Sequence, residues 1–527
     1  MTRWTMVADL ERCVGCQTCT AACRHANATA PAVQWRKVLD IEAGIFPNVS
    51  RTFVPVGCQH CADPPCMHVC PSTATRRRAD GIVTIDYDIC IGCAYCDVAC
   101  PYQARFKVDA PRLAYGNLAM DYEIEREEPR RIGVAQKCTF CSDRIDFGLA
   151  NGLTPGLAPE ATPACVNACI ADALHFGDLD DPDSNVSRLL RAQQHFRMHQ
   201  ELGTEPGFYY LYGAADAAER DDPAPAARTE PVALRTRGVA PWHQQHWDWK
   251  AAANFICGGA GAGLFAIAAA ASLAGYALYP LGLVALALVA LGLFCVLMKI
   301  GRPWRFAYVL RQPRRSWMAR EAWIACAFLP LGLAAAWFDA PALALAAAVV
   351  ALAYLFSQSM ILQAARGIPA WRTPLMSPLI VATGLAEGSG LFLVAAAVWP
   401  PLRPALVAAV IAAMVAAALR AFIWHAYAAA LTREGAPAQS VSALDAFAPW
   451  LFALGLALPL GAIVAGLAFA AAAPVLFVLA GAAIAAAGGE LKFILVTRAG
   501  FNQGFAIAHT PARGTGRTGP AVKPGWT

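Results

Sequence analysis

The run Cys90-Ile91-Gly92-Cys93-Ala94-Tyr95-Cys96-Asp97-Val98-Ala99-Cys100-Pro101 constrains this chain more than any other stretch. Its spacing is C-x2-C-x2-C-x3-C-P. Three thiolates, each three positions after the last, wrap one cubane iron–sulfur cluster, and the fourth ligates a different cluster. One such run therefore predicts another nearby, and the chain holds three more. Cys13, Cys16, Cys19 and Cys23 repeat the spacing. Cys58, Cys61, Cys66 and Cys70 stretch one gap, and Cys138, Cys141, Cys165 and Cys169 carry a long insertion after the first pair. Sixteen of the 19 cysteines fall into these quartets. Paired C-x2-C also fits zinc, but zinc does not need three close thiolates plus a fourth sent to a partner motif. A disulfide framework fits less well, because nothing in the chain reads as secreted.

The exported fourth cysteine predicts the pairing. Runs two and three exchange theirs, giving Cys58, Cys61, Cys66 with Cys100, and Cys90, Cys93, Cys96 with Cys70. By symmetry, runs one and four give Cys13, Cys16, Cys19 with Cys169, and Cys138, Cys141, Cys165 with Cys23. Every quartet is all-Cys, so the expectation is four 4Fe-4S clusters in a line, a wire and not a reaction site. Lys137 and Arg144 flank the fourth run; a cation there either favours a reduced cluster or is an ordinary solvated charge. Arg76-Arg77-Arg78 reads as a solvated turn. His60 and His68 sit among the ligands and read as hydrogen-bonding residues.

Composition splits the 527-residue chain. Residues 1 to about 248 are polar, Cys- and Pro-rich, and the cluster domain is expected over 1–213. Strands are expected at Val7–Asp9, Trp35–Leu39, Arg51–Val56, Gly81–Ile85 and Phe208–Tyr212, with a helix over 184–201. This predicts an α+β, ferredoxin-like repeat domain that binds four iron–sulfur clusters. The amino-terminal residues lack the apolar core of a signal peptide. Residues 214–249, rich in Ala, Pro, Asp and Arg, read as a linker. Trp242, Trp247 and Trp249 announce an interface. Residues 250–500 are Ala- and Leu-rich and predict an all-α eight-helix transmembrane bundle, with spans at about 251–275, 278–298, 321–338, 340–362, 375–399, 404–424, 447–468 and 473–496. Residues 501–527 read as a flexible cytoplasmic tail. The net charge of +5 collects beside the spans and excludes a nucleic-acid-binding stripe.

The second and third runs, Lys137-Cys138-Thr139-Phe140-Cys141 and Leu202-Gly203-Thr204-Glu205-Pro206 resemble the four-cluster electron-transfer subunit of the dimethyl sulfoxide reductase family, over residues 1 to about 213. The resemblance implies docking on a molybdopterin-containing catalytic subunit. In the membrane half, Lys299-Ile300-Gly301-Arg302-Pro303-Trp304-Arg305-Phe306, Ser316-Trp317-Met318-Ala319-Arg320-Glu321 and Gly488-Gly489-Glu490-Leu491 resemble that family's eight-span anchor, which oxidises or reduces quinone. Members often carry His where this chain has Lys299.

Between spans two and three lie Lys299, Arg302, Arg305, Arg311, Arg314, Arg315 and Arg320, and the same side holds Arg366, Arg372, Arg433 and Arg498. The opposite loops hold Arg403. The positive-inside rule then places both termini and the Cys-rich domain on the cytoplasmic side of the inner membrane. Ionisable groups within spans are functional candidates by cost. Lys299, Arg302, Arg305 and Glu321 form the candidate quinone site, although Glu321 also reads as a helix N-terminal charge. Glu387 lies mid-span, as a functional acid or a packed polar residue. Glu490 and Lys492 lie in the last span, where pairing or snorkelling suffices. His425 alone lies near a span, whereas a bis-histidine haem needs ligands on two facing spans, so no haem is expected. Cys257, Cys295 and Cys326 read as small packing residues.

The combined expectation is an electron-transfer and membrane-anchor subunit of a quinone-linked molybdopterin oxidoreductase, with lipid and the quinone pool as partners. The cytoplasmic orientation favours a sulfite dehydrogenase type that passes electrons from sulfite to quinone. The alternatives are a dimethyl sulfoxide-type reductase running electrons the other way, an ion-translocating module and a zinc scaffold.

Overall fold

A computed structural model describes residues 2–31, 33–45, 48–126, 128–214, 234–237, 240–513 and 517–518. The strand Trp4–Asp9 is buried along its whole length. It pairs in parallel with Phe208–Ala214 and antiparallel with Leu174–Asp178, and Gln193–Phe196 completes the other edge. The first and last strands of the Cys-rich part thus lie side by side and tie its ends together. A hairpin of Arg36–Ile45 and Asn48–Gly57 packs beside this sheet.

The first and third cysteine runs have the same backbone. Gly15 and Gly92 both sit at φ 71°, and Gln17 and Ala94 follow at 63° and 58°. Helices Thr18–Asn27 and Tyr95–Ala99 then begin. Glycine suits both left-handed positions, and at Gly92 it is also a matter of space: a Cβ there would stand 1.9 Å from the Gly133 carbonyl.

Four expectations change. The helix over 184–201 is two elements: a helix Asn185–Ala192, capped by Ser184 Oγ accepting from Ser187 N at 3.1 Å, and the strand Gln193–Phe196. The open edge of the closing strand recruits that second half, and Phe196 stacks on Tyr210. The Arg76-Arg77-Arg78 turn is the end of a hairpin, Thr75–Arg77 with Val83–Ile85, and Arg78 holds Asp80 and Asp146. The linker is not free throughout. Residues 215–233 lie outside the described residues, but Leu234–Arg237 pairs with the strand Arg36–Ile45, and Gln244 Nε2 donates to the Trp247 and Val496 carbonyls. The start of the tail is not flexible. Phe505 and Ile507 bury themselves in the core of the Cys-rich part, and Asn502 Oδ1 accepts from Gln103 Nε2 at 2.9 Å and Trp242 N at 3.0 Å.

Eight described helices are long and apolar enough to cross a membrane: Trp249–Ser272, Tyr279–Leu297, Trp317–Phe338, Pro341–Gln363, Met376–Val398, Pro400–Arg433, Ala438–Ala468 and Ala473–Thr497. Spans three, six and seven run beyond their apolar stretches, because helical turns continue into polar residues such as Arg320 and Arg433. Small residues bring the backbones together. A Cβ on Gly263 would meet the Gly384 carbonyl at 2.0 Å, and one on Gly481 the Gly390 carbonyl at 2.4 Å.

The two halves dock through backbone. Gly301 N donates to Gly92 O at 3.3 Å and Arg302 N to Ile91 O at 3.1 Å. Tyr95 OH donates to Ile361 O at 2.6 Å, and Ser316 Oγ to Val69 O at 2.8 Å. The third cysteine run therefore sits directly on the loops between the spans.

Candidate metal centres and the cavity beneath them

All 19 cysteines are free, and most of the sixteen in the runs are buried. The fold sorts the sixteen across the runs. Cys100 feels Cys66 and Cys58, and Cys61 feels Cys58, Cys66 and Cys100. Cys93 and Cys96 feel Cys90 and Cys70. Cys19 feels Cys13, Cys169 and Cys165. Cys23 feels Cys138, Cys165 and Cys141, and Asn27 Nδ2 lies 3.8 Å from Cys23 Sγ and 3.7 Å from Cys141 Sγ. Cys16 is the exposed member of its run, 3.3 Å from Thr18 Oγ1.

Burial pushes four of the buried thiols well up, Cys19 and Cys138 to about 11 and Cys93 and Cys100 to about 12. Alone they would stay protonated; bound positive charge would deprotonate them. The surroundings are already built for anions. Arg36 is 1% exposed, its Nε and Nη1 have no hydrogen-bond partner, and the anionic groups acting on it are Cys165, Cys138, Cys19 and Cys23. A buried cation without a counter-charge is costly, and thiolates of ligated quartets supply one. Among the described residues, no three Cys, His, Asp or Glu close to the spacing a single metal ion needs. A cubane, with one thiolate at each of four irons, takes a wider set. The donor set therefore fits iron–sulfur clusters.

Below the third run lies a cavity of 450 Å³ between the Cys-rich part and the first four spans. Its lining is mostly apolar, with Cys93, Trp247, Asn254, Lys299 and Glu321 on its wall. Lys299 Nζ donates to Cys93 O at 3.3 Å and lies 4.8 Å from the Trp247 ring centre. Burial pulls Lys299 down to about 7. Trp247 Nε1 donates to the same Cys93 carbonyl at 3.3 Å. Glu321, 4% exposed, accepts from Asn254 Nδ2 at 3.1 Å. Gln358 Nε2 donates to Asn254 O at 2.9 Å and to Tyr354 OH at 3.3 Å, closing a polar cluster behind the carboxyl.

The four expected quinone-site residues separate. Lys299 and Glu321 line the cavity; Arg302 and Arg305 do not. Arg302 donates to Ile132 O and Pro129 O, and Arg305 Nη1 to Tyr87 O and Cys90 O. Both fasten the Cys-rich part to the membrane loop, Arg302 through the carbonyls of Pro129 and Ile132 and Arg305 through those of Tyr87 and Cys90 at the start of the third run. Sequence reading missed Trp247 as a cavity residue, and Asn254, Tyr354 and Gln358 altogether. The two amides in apolar spans were the available signal.

Lys137 is buried and donates to the Val83 and Cys138 carbonyls, whereas Arg144 turns away to the Thr162 and Pro159 carbonyls. His60 Nδ1 accepts from Val83 N at 3.1 Å, and His68 pairs with Asp63. Glu387 pairs with Lys492 at 2.6 Å inside the bundle, and Glu490 is exposed.

A model of the 4Fe-4S dicluster domain matches residues 49–115, which hold the second and third runs. Over 221 residues the chain is 42% identical to a selenate reductase subunit of Mesobacillus selenatarsenatis, across 40% of this chain and 72% of that protein. It is 37% identical over 228 residues to a sulfite dehydrogenase subunit of Allochromatium vinosum, across 40% of this chain and 83% of that one. This chain belongs to the iron–sulfur subunits of molybdenum oxidoreductases. Another similar member is the iron–sulfur cluster-binding subunit of menaquinone reductase from Nitratidesulfovibrio vulgaris, 35% identical over 40% of this chain and 88% of that protein. Like other members, this one is an iron–sulfur electron-transfer subunit, and its eight apolar helices make it a multi-pass membrane protein as well.

Proposed function

We propose that this chain carries electrons between a molybdopterin-containing catalytic subunit and quinone, as wire and membrane anchor in one polypeptide. The observation that carries the reading is the shared carbonyl of Cys93: Lys299 and Trp247, both on the cavity wall, hold it together. One end of the cysteine array thus forms part of the cavity.

Four 4Fe-4S clusters would be held by Cys13, Cys16, Cys19 and Cys169; by Cys23, Cys138, Cys141 and Cys165; by Cys58, Cys61, Cys66 and Cys100; and by Cys70, Cys90, Cys93 and Cys96. Such clusters supply one-electron transfer. At the far end Cys16 is exposed, with Val14 and Ile170 exposed beside it, an apolar rim suited to the catalytic partner. At the near end the cavity accepts a flat apolar quinone ring. Lys299 donates a hydrogen bond to one quinone oxygen. Glu321, oriented by Asn254, exchanges the proton at the other.

The domains are a cluster domain over 1–213, a joining segment over 214–249 whose described residues contact both halves, the anchor over 250–500 and a carboxy-terminal segment whose first residues pack on the cluster domain. The basic loops lie on the cluster-domain side: Lys299, Arg302 and Arg305 bond to it, and Arg366 pairs with Asp63 at 3.7 Å. The positive-inside rule puts that side in the cytoplasm. A cytoplasm-facing catalytic partner suits sulfite oxidation with quinone reduction. The reverse flow, from quinol to a dimethyl sulfoxide-type reductase, uses the same parts.

The test uses anaerobic membranes containing the natural partner. Sulfite should reduce the clusters, seen by EPR. Silence with sulfite, but reoxidation of quinol-reduced clusters by dimethyl sulfoxide, would reverse the assigned direction. Silence with both would overturn the substrate assignment.

A further inference from the structure

The cluster domain buries a cation between each pair of neighbouring quartets. Arg36 feels Cys19 of one quartet and Cys23, Cys138 and Cys165 of the next. Lys137 feels Cys138 of that quartet and Cys58 and Cys66 of the third. Arg105 feels Cys66, Cys58 and Cys100 of the third, and Cys96 of the fourth. Its Nη2 lies 2.7 Å from Cys66 Sγ. Lys299 then follows the fourth quartet, at the cavity.

Neutral groups hold these cations in place. Arg36 Nη2 touches Met6 Sδ at 2.9 Å, and its guanidinium lies 4.9 Å from the Phe208 ring centre. Arg105 Nη1 donates to Thr75 Oγ1 at 3.3 Å. Lys137 is bound to the Val83 and Cys138 carbonyls. Among the described residues, none of the three forms an ion pair with Asp or Glu. Asp97 feels Arg105 and Lys299 without closing a pair with either. The cysteine quartets are therefore the principal anionic partners of all three charges.

We propose that Arg36, Lys137 and Arg105 are potential-setting positioning residues, one at each junction between successive clusters, each raising the reduction potentials of the two clusters that flank it. The inference rests on the cluster reading above. An added electron makes its cluster one unit more negative, and a fixed cation stabilises that charge on either side of the junction. It also offsets the repulsion between two reduced neighbours. Charge at the junction acts on both clusters and raises their potentials together. The three junctions then form one chain of alternating clusters and cations that ends with Lys299 at the cavity.

The experiment is an EPR-monitored redox titration of the full chain in nanodiscs. It compares wild type with Arg36→Gln, Lys137→Gln and Arg105→Gln, and with the charge-keeping Arg36→Lys, Lys137→Arg and Arg105→Lys. Each neutral variant should lower the reduced-to-oxidised ratio of its two flanking clusters about tenfold at fixed ambient potential, about 59 mV for one electron. The other two clusters should stay put, and the charge-keeping variant should restore the wild-type values. A uniform shift of all four clusters, no shift, or the same shift in neutral and charge-keeping variants would overturn the inference. If one neutral variant loses a cluster, the other two junctions carry the test. An iron count and EPR of wild type separate the two readings. Fewer than four clusters there defeats the cluster reading, whereas four clusters with unmoved potentials in the variants defeats this inference alone.

Discussion

In the proposed quinone reaction, Glu321 is the residue on which turnover depends most. It is buried, with Asn254 bonded to it and Tyr354 and Gln358 packed behind. Glu321→Gln keeps the shape and removes the proton carrier. Quinone turnover should fall roughly 10²–10⁴-fold, with cluster EPR signals unchanged, measured as stopped-flow reoxidation of dithionite-reduced chain by a soluble naphthoquinone. Glu387 is a different kind of buried acid. It pairs with Lys492, and Arg420 beside them donates to the Ile484 and Gly455 carbonyls at 2.9 and 3.1 Å. Glu387→Gln leaves a buried lysine without its partner and should cost about 3–5 kcal/mol. Adding Lys492→Met should recover much of the loss in thermal denaturation; equal melting of single and double variants would refute the pairing. At this scale the grouping of the cysteines was legible, because the spacing along the chain sets which thiols a fold can gather, and the fold brings thiols of different runs together. Arg36 and Arg105 were not legible: nothing local to them signals a role, and only the fold carries their charge between quartets. Arg302 and Arg305 read as quinone ligands from their loop, yet backbone carbonyls of the Cys-rich part, at Pro129, Ile132, Tyr87 and Cys90, take both side chains.

Gly301 marks the seam between the two parts. A Cβ there would stand 1.9 Å from the Gly133 carbonyl, which also crowds Gly92. Gly301→Ala should pry the third run off the loop, slowing reoxidation by quinone while leaving iron content intact; an unchanged rate would show that the seam tolerates the strain. The carboxy-terminal segment is a second seam. Phe505 fills the core of the cluster domain, so Phe505→Ala should cost about 3–5 kcal/mol and lower the temperature at which visible cluster absorbance is lost. Elements with one dominant pattern were legible. The eight spans follow from apolar length, and of the strand Trp4–Asp9 its second half, Val7–Asp9, was read from the sequence. The segments after the last span and between the halves were misread, because two apolar residues among many polar ones do not look like a packing element until a groove exists to receive them.

The whole molecule joins a cysteine-rich array to a membrane cavity through a few backbone contacts, with the basic loops gathered on one side. The two halves were legible from composition, and their covalent order suggested a wire leading to a membrane. Which run touches the membrane was not legible, since the four runs have similar spacing and only docking picks out the third. The central claim is that electrons leave the array at Cys93 into that cavity. The decisive measurement is the rate at which a soluble naphthoquinone reoxidises dithionite-reduced wild-type chain in nanodiscs, compared with a variant whose cavity is filled by Ala251→Phe. Rapid reoxidation in wild type, abolished in the filled variant with all four cluster signals retained, is the expected result. Equal reoxidation in both would place the exit elsewhere and contradict the account.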